Sequence, residues 1–104
     1  MSVRRLRLEA LIASPPTRTC EAIVDMLDAL VEKYPDFVSL DIYLAGEQPG
    51  RDPTKGYQDK GKFKRVPSVF VNGVMAAQVE APEPATLEAL LVSELAKGAG
   101  AWQE

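Results

Sequence analysis

A strand, a helix and a strand, then a long connection, then two strands and a helix: this order predicts an α/β domain with a four-stranded mixed sheet and flanking helices. Three observations carry the prediction. Ile23, Met26, Leu27, Leu30, Val31 and Tyr34 recur at three- and four-residue spacing between two strand-like segments, the pattern of an amphipathic crossover helix. Val69-Phe70-Val71 and Val74-Met75 flank Asn72-Gly73, the strongest short-range hairpin signal because both turn residues tolerate positive φ. Leu87, Leu90, Leu91 and Leu95 form one stripe near the end, which needs a sheet to cover it.

The first strand is read over Leu6 to Ala13. It alternates at Leu6-Arg7-Leu8-Glu9 and is then continuously apolar, as in a strand running from a sheet's rim to its interior. Ser14-Pro15-Pro16 ends it, since proline supplies no ladder donor. Thr17 is the expected N-cap of the following helix. Tyr34-Pro35 ends that helix, because the residue before proline is pushed out of the α region. Phe37 to Leu44 alternates Val38, Leu40, Ile42 and Leu44 against Tyr43 and reads as the second strand. A crossover helix between them makes the two strands parallel. Ala45 to Lys64 is the long connection, with a helical turn expected around Tyr57 to Lys60. The hairpin spans Val66 to Ala77, and the last helix runs from Pro84 to Lys97 with Gly98 after it.

With 104 residues the chain makes one domain, read as residues 1–97 followed by a flexible tail over 98–104. A net charge of −3 argues against nucleic acid or an acidic membrane as partner. No apolar run approaches the ~18 residues of a membrane helix, and Arg7 and Glu9 interrupt any leader-like stretch at the start. A cytoplasmic location is expected, consistent with a lone thiol. The chain has no histidine and one cysteine. That excludes histidine general-base chemistry, imidazole zinc sites and an internal dithiol.

Two segments carry a resemblance to a known family. Thr17-Arg18-Thr19-Cys20 opens the first helix, and Val66-Pro67-Ser68-Val69-Phe70-Val71-Asn72-Gly73 leads into the hairpin. In this order they resemble the thioredoxin superfamily, its compact glutaredoxin-type members above all, over about Leu6 to Lys97. The resemblance implies that Thr17 to Cys20 stands on the family's CxxC, with Thr17 in place of the attacking cysteine and Cys20 in place of the resolving one. A second framing sets Ser14-Pro15-Pro16-Thr17 on a CPPC pattern and leaves no cysteine. Either way the active site is degenerate. The resemblance further implies a cis Val66-Pro67 bond, with the Val66 backbone facing an extended peptide or glutathione and Arg18 nearby. Ala76-Ala77-Gln78 and Glu80 replace the Gly-Gly and acidic residue of the glutathione pattern.

Two functions are implied. Cys20 is the candidate thiol of a redox-related protein whose partner is a protein or peptide thiol, a disulfide or glutathione. Thr17-x-x-Cys20 is also similar to the TxxC of peroxiredoxins, where the cysteine is oxidised to sulfenic acid, although Ala13 stands where that family has proline. The alternative is a non-enzymatic partner-binding module using the cis-proline groove, as in KaiB-type clock proteins. A buried thiol favours the alternative. No metal and no cofactor is expected. Residues 51 to 65 carry a net +4, leaving −7 on the remainder; the segment reads as a solvated loop or as an anion site facing the helix start.

Overall fold

The computed structural model describes residues 4–60 and 65–104. The domain is α/β, with strands β1 (Leu6–Ile12), β2 (Val38–Leu44), β3 (Ser68–Val71) and β4 (Val74–Gln78) in one sheet of order β2-β1-β3-β4. Helices α1 (Arg18–Lys33), α2 (Lys55–Lys60) and α3 (Pro84–Ala96) complete it. β1 pairs parallel with β2 and antiparallel with β3, and β3 pairs antiparallel with β4. This is the thioredoxin-like β-α-β…β-β-α arrangement that the sequence predicts.

The period-two pattern of β1 decides which residues face which layer. Leu6, Leu8, Ala10 and Ile12 face α1 and α3, in one core with Ile23, Leu27, Leu30, Val69, Val71, Leu87 and Leu91. α1 presents its apolar stripe there while Glu21, Asp25, Asp28 and Glu32 stay in solvent. The hairpin closes at Asn72 (φ 50°) and Gly73 (φ 74°), the paired positive φ of a twist-matched two-residue turn.

The other face differs from expectation. Arg7 and Glu9 do not mark a solvated rim: they are 1% and 0% exposed. Both faces of β1 are covered, the second by Asp52 and Thr54 of the connection and by Tyr57 of α2. A polar network satisfies the buried charges. Arg7 donates to Asp41 Oδ2 from Nε (3.1 Å) and Nη2 (2.9 Å), to the Tyr43 hydroxyl (3.1 Å) and to the Asp52 carbonyl (2.7 Å). Glu9 accepts from the Tyr43 hydroxyl (2.6 Å), the Thr54 amide (2.9 Å) and the Thr54 hydroxyl. Tyr43, Tyr57 and Phe70 stack edge to face beside it, with ring centroids 4.8 and 4.9 Å apart. Burial, reinforced by Glu9, pushes the Tyr57 hydroxyl up to about 12 and, with the Glu9 hydrogen bond, raises Tyr43 further still. Both stay protonated, and Tyr43 stays a donor.

Residues 98–104 are not a loose tail. A 3₁₀ turn, Ala99–Ala101, brings Trp102 into the main core, where its Nε1 donates to the Glu94 carbonyl (3.1 Å). The Gln103 amide donates to Asn72 Oδ1 (2.6 Å) and its side chain accepts from the Gly56 amide (2.7 Å). An indole with apolar neighbours and a carbonyl for its N–H has strong reason to dock.

The network sets an expected stability effect. Arg7→Met leaves the buried Glu9 without its counter-charge and Asp41 with only the more distant Arg51, and should cost about 3–5 kcal/mol. Thr54→Val removes one hydroxyl from Glu9 and should cost about 1–3 kcal/mol. Urea denaturation of the purified variants checks both, and a cost near zero for Arg7→Met would contradict this account.

Candidate functional site

The candidate site lies where the chain leaves β1. Ser14, Pro15 and Pro16 cannot continue the ladder, and Thr17 turns the backbone (φ −85°, ψ 173°) into the first turn of α1. Its hydroxyl oxygen accepts from the Cys20 amide at 3.2 Å, the N-cap geometry expected of threonine. The same hydroxyl donates to Cys20 Sγ at 3.2 Å, and the Ala13 amide donates to that sulfur at 3.5 Å. Thr17 therefore serves helix and thiol together.

Cys20 is a free cysteine with 0% exposure, at the end of the main core. Burial raises its pKa, but hydrogen bonds from the Thr17 hydroxyl, the Ala13 amide and the amides of Thr17 and Cys20 outweigh it, so the thiol lies below its ordinary 9.0. Ionisation is favoured, access is not. A thiolate must reach its substrate to react, and no second thiol exists to resolve a mixed disulfide.

The antiparallel register Leu11↔Ser68 carries the segment before β3 to the same end of the sheet. Val66 and Pro67 thus stand beside the exit of β1. The Val66-Pro67 bond is cis, as is Ser14-Pro15. The Pro67 carbonyl accepts from the Val79 amide at 2.7 Å, and the Ser68 hydroxyl donates to the Arg65 carbonyl. Val66 is 39% exposed, and Ser14 to Arg18 are exposed across from it. Strands β1 and β2 both end here, and β1 has its crossover to one side and β3 to the other. In open α/β sheets that is the usual place for a binding crevice. Thr17, Arg18, Cys20, Val66 and Pro67 are thus gathered at one end of the sheet, with Cys20 behind the surface that the others form.

The basic connection reads either as a solvated loop or as an anion site at the helix start, and its Arg51 does not serve the second. Arg51 turns to Asp41 on the second face of the sheet (3.5 Å), drawn by a carboxylate already in the buried network. Lys55 and Lys60 lie on α2, and Lys62 and Lys64 fall outside the described residues. Among the described residues no group of three or more His, Cys, Asp or Glu side chains could hold a metal, and no helix is long and apolar enough to cross a membrane. Sequence reasoning passed over Arg4, Arg5, Arg7 and Ser39, which line a separate cleft with Arg51. The available signal was two adjacent arginines before a strand whose third stands on the non-core face.

A comparison with protein-family models and with curated protein sequences finds no match for this chain. Fold and site geometry alone define its class, a small α/β domain with a four-stranded mixed sheet and no dithiol.

Thr17→Ala should cost about 1 kcal/mol through the lost cap and move the Cys20 pKa back up, because the hydroxyl donor disappears. The sign in stability follows. A thiol depressed in the native state contributes stability that is fully present above its unfolded value of 9.0 and lost as pH falls through the native one. Between those two values wild-type stability should therefore rise with pH, and Cys20→Ala should abolish that rise. Chemical denaturation across this range measures both, and parallel wild-type and Cys20→Ala curves would refute the assignment.

Proposed function

We propose that this chain is a thioredoxin-superfamily domain of the compact glutaredoxin type that has given up dithiol chemistry and binds a partner at the inherited groove. The observation that carries this reading is the separation within the site: Cys20 is fully buried while Val66 and Ser14 to Arg18 are exposed in front of it. What faces a partner is backbone, proline and Arg18, not sulfur. A strand-start backbone beside an exposed rim suits an extended peptide, which docks by main-chain hydrogen bonds with side-chain pockets supplying selectivity. In this reading Cys20 fills the core and Thr17 caps α1.

A second reading is favoured by one observation, the donors that converge on Cys20 Sγ. A lowered thiol pKa beside a threonine hydroxyl suits oxidation by a small peroxide that reaches a sulfur closed to proteins. The partner is then recognised by the same rim, and oxidation of Cys20 to sulfenic acid tunes it.

Peptide-display selection against the folded domain separates the readings. Selected peptides should bind Val66→Asp or Arg18→Glu at least about tenfold more weakly, a loss of ~1.4 kcal/mol, and should bind Cys20→Ser as well as wild type. Peptides indifferent to Val66 and Arg18 would overturn the groove reading. Peroxide-dependent labelling of Cys20 by a sulfenic-acid probe, faster than that of a denatured control, would favour the second. No dithiothreitol-dependent insulin reduction above a Cys20→Ser control is expected in either case.

A further inference from the structure

The opposite end of the sheet holds a second surface that owes nothing to the groove. A cleft of about 410 Å³ opens between the start of β1, β2, the 45–54 connection and the chain's last residues. We propose that it binds a phosphoryl dianion. Four guanidiniums converge on it, from Arg4, Arg5, Arg7 and Arg51. Carboxylates offset much of this charge, Glu9 and Asp41 at Arg7 and Glu104 at Arg4. The surplus that attracts an anion rests chiefly on Arg5, with Arg51 beside it.

The four have different tasks. Arg7 forms the floor and is spent: Asp41, Tyr43 and the Asp52 carbonyl take its donors. Its charge is balanced by Asp41 and Glu9, so it shapes the floor rather than contacting the ligand. Arg51 meets Asp41 only at 3.5 Å and is half exposed. Arg5 is the uncommitted one. Its Nε donates to the Pro35 carbonyl at 3.3 Å, and among the described residues it has no carboxylate partner, so both Nη groups remain available. At the mouth Arg4 holds Glu104 at 2.7 Å, an exposed pair of the kind that contributes little to stability. An incoming dianion replaces Glu104 there at small cost.

Ser39 supplies the independent observation. It is the neighbour of Arg7 across the β1–β2 register and lines the same cleft. Its Oγ is buried and makes no hydrogen bond among the described residues. Buried hydroxyls are nearly always paired, and an orphan asks for an explanation. Here it is a donor without an acceptor, in a cleft it shares with the Arg5 and Arg51 guanidiniums. Arg5, Ser39 and Arg51 come to the cleft from three segments: the residue before β1, β2 and the connection. Three separate donors match the oxygens of a tetrahedral oxyanion better than the two of a carboxylate. The volume lies in the range of small-molecule sites and leaves room for what the phosphoryl group is attached to.

Titration of the isotope-labelled protein with inorganic phosphate and with glycerol phosphate, against sodium chloride at equal ionic strength, tests the proposal. Both probes should give saturable amide shifts at Arg5, Ser39 and Arg51 that chloride does not. Arg5→Gln and Arg51→Gln should each weaken binding about tenfold, as expected for a lost charge-assisted hydrogen bond. Arg5→Lys should recover only part, since it keeps the charge and loses the fork. Arg18→Gln, at the far end of the sheet, should change nothing. Tighter binding of glycerol phosphate assigns the site to a phosphorylated small molecule, and equal binding assigns it to free phosphate. Shifts no larger than those with chloride, binding unchanged in Arg5→Gln and Arg51→Gln, or acetate binding as well as phosphate would overturn the proposal. None of these outcomes bears on the Val66 groove.

Discussion

A carboxylate sealed from water, Glu9, governs how the second face of the sheet is covered. An unpaired buried charge is costly, so the fold must bring donors to it. Tyr43 comes from the neighbouring strand and Thr54 from the connection, with amide and hydroxyl on the two carboxylate oxygens. Thr54 is thereby fixed on the sheet, and α2 begins at the next residue. Tyr57 on α2 then reaches Tyr43 and Phe70. Arg7 supplies the opposite charge and ties Asp52 and Asp41 to the same place. The part of the connection from Asp52 to Tyr57 is thus fixed against the sheet. Such networks define a unique arrangement more than they add to stability.

The same strand separates two surfaces of opposite chemistry. At its carboxyl end β1 runs into prolines, a capped helix and a sulfur withdrawn behind them. At its amino end arginines line a cleft, and the network below ties two of them, Arg7 and Arg51, to Asp41. Asp41 links floor and wall there, because it accepts from Arg7 and faces Arg51. The charge that stabilises the interior of the sheet also shapes the cleft at its edge.

Much of this was legible in the sequence, and the reasons are local. Thr17 after two prolines could only cap, and Asn72-Gly73 between apolar runs could only turn. The leucine stripes of α1 and α3 announced their buried faces by period. Arg7 and Glu9 were misleading because alternation reports that two faces differ, not that one of them is wet. Only the packing of Asp52, Thr54 and Tyr57 reveals that β1 is covered on both faces, and that packing depends on contacts far apart in the chain. Trp102 was lost for a similar reason: the glycines and alanines before it read as a tail, while its partners Glu94 and the core lie elsewhere. Arg5, Ser39 and Arg51 carry no motif at all. Their convergence is a product of the connection's path, which the network around Glu9 fixes and no spacing records.

Gly56 lies against the backbone of Gly73, so closely that a Cβ at position 56 would overlap the Gly73 carbonyl. Gln103 bridges the same spot, bonded to the Gly56 amide and resting where a Cβ on Gly73 would stand. Three residues from the connection, the hairpin and the chain's end thus meet with no side-chain thickness between two of them. The consequence concerns what variation this chain can absorb. Position 56 sits in a stretch that looks like spacer, yet it is as closed to substitution as a core leucine, alanine included. Gly46 and Gly50 have open space around them. Within the residues from Ala45 to Lys60, changes in length are therefore confined to those before Asp52, and the run from Asp52 to Tyr57 is held to a fixed count by its neighbours.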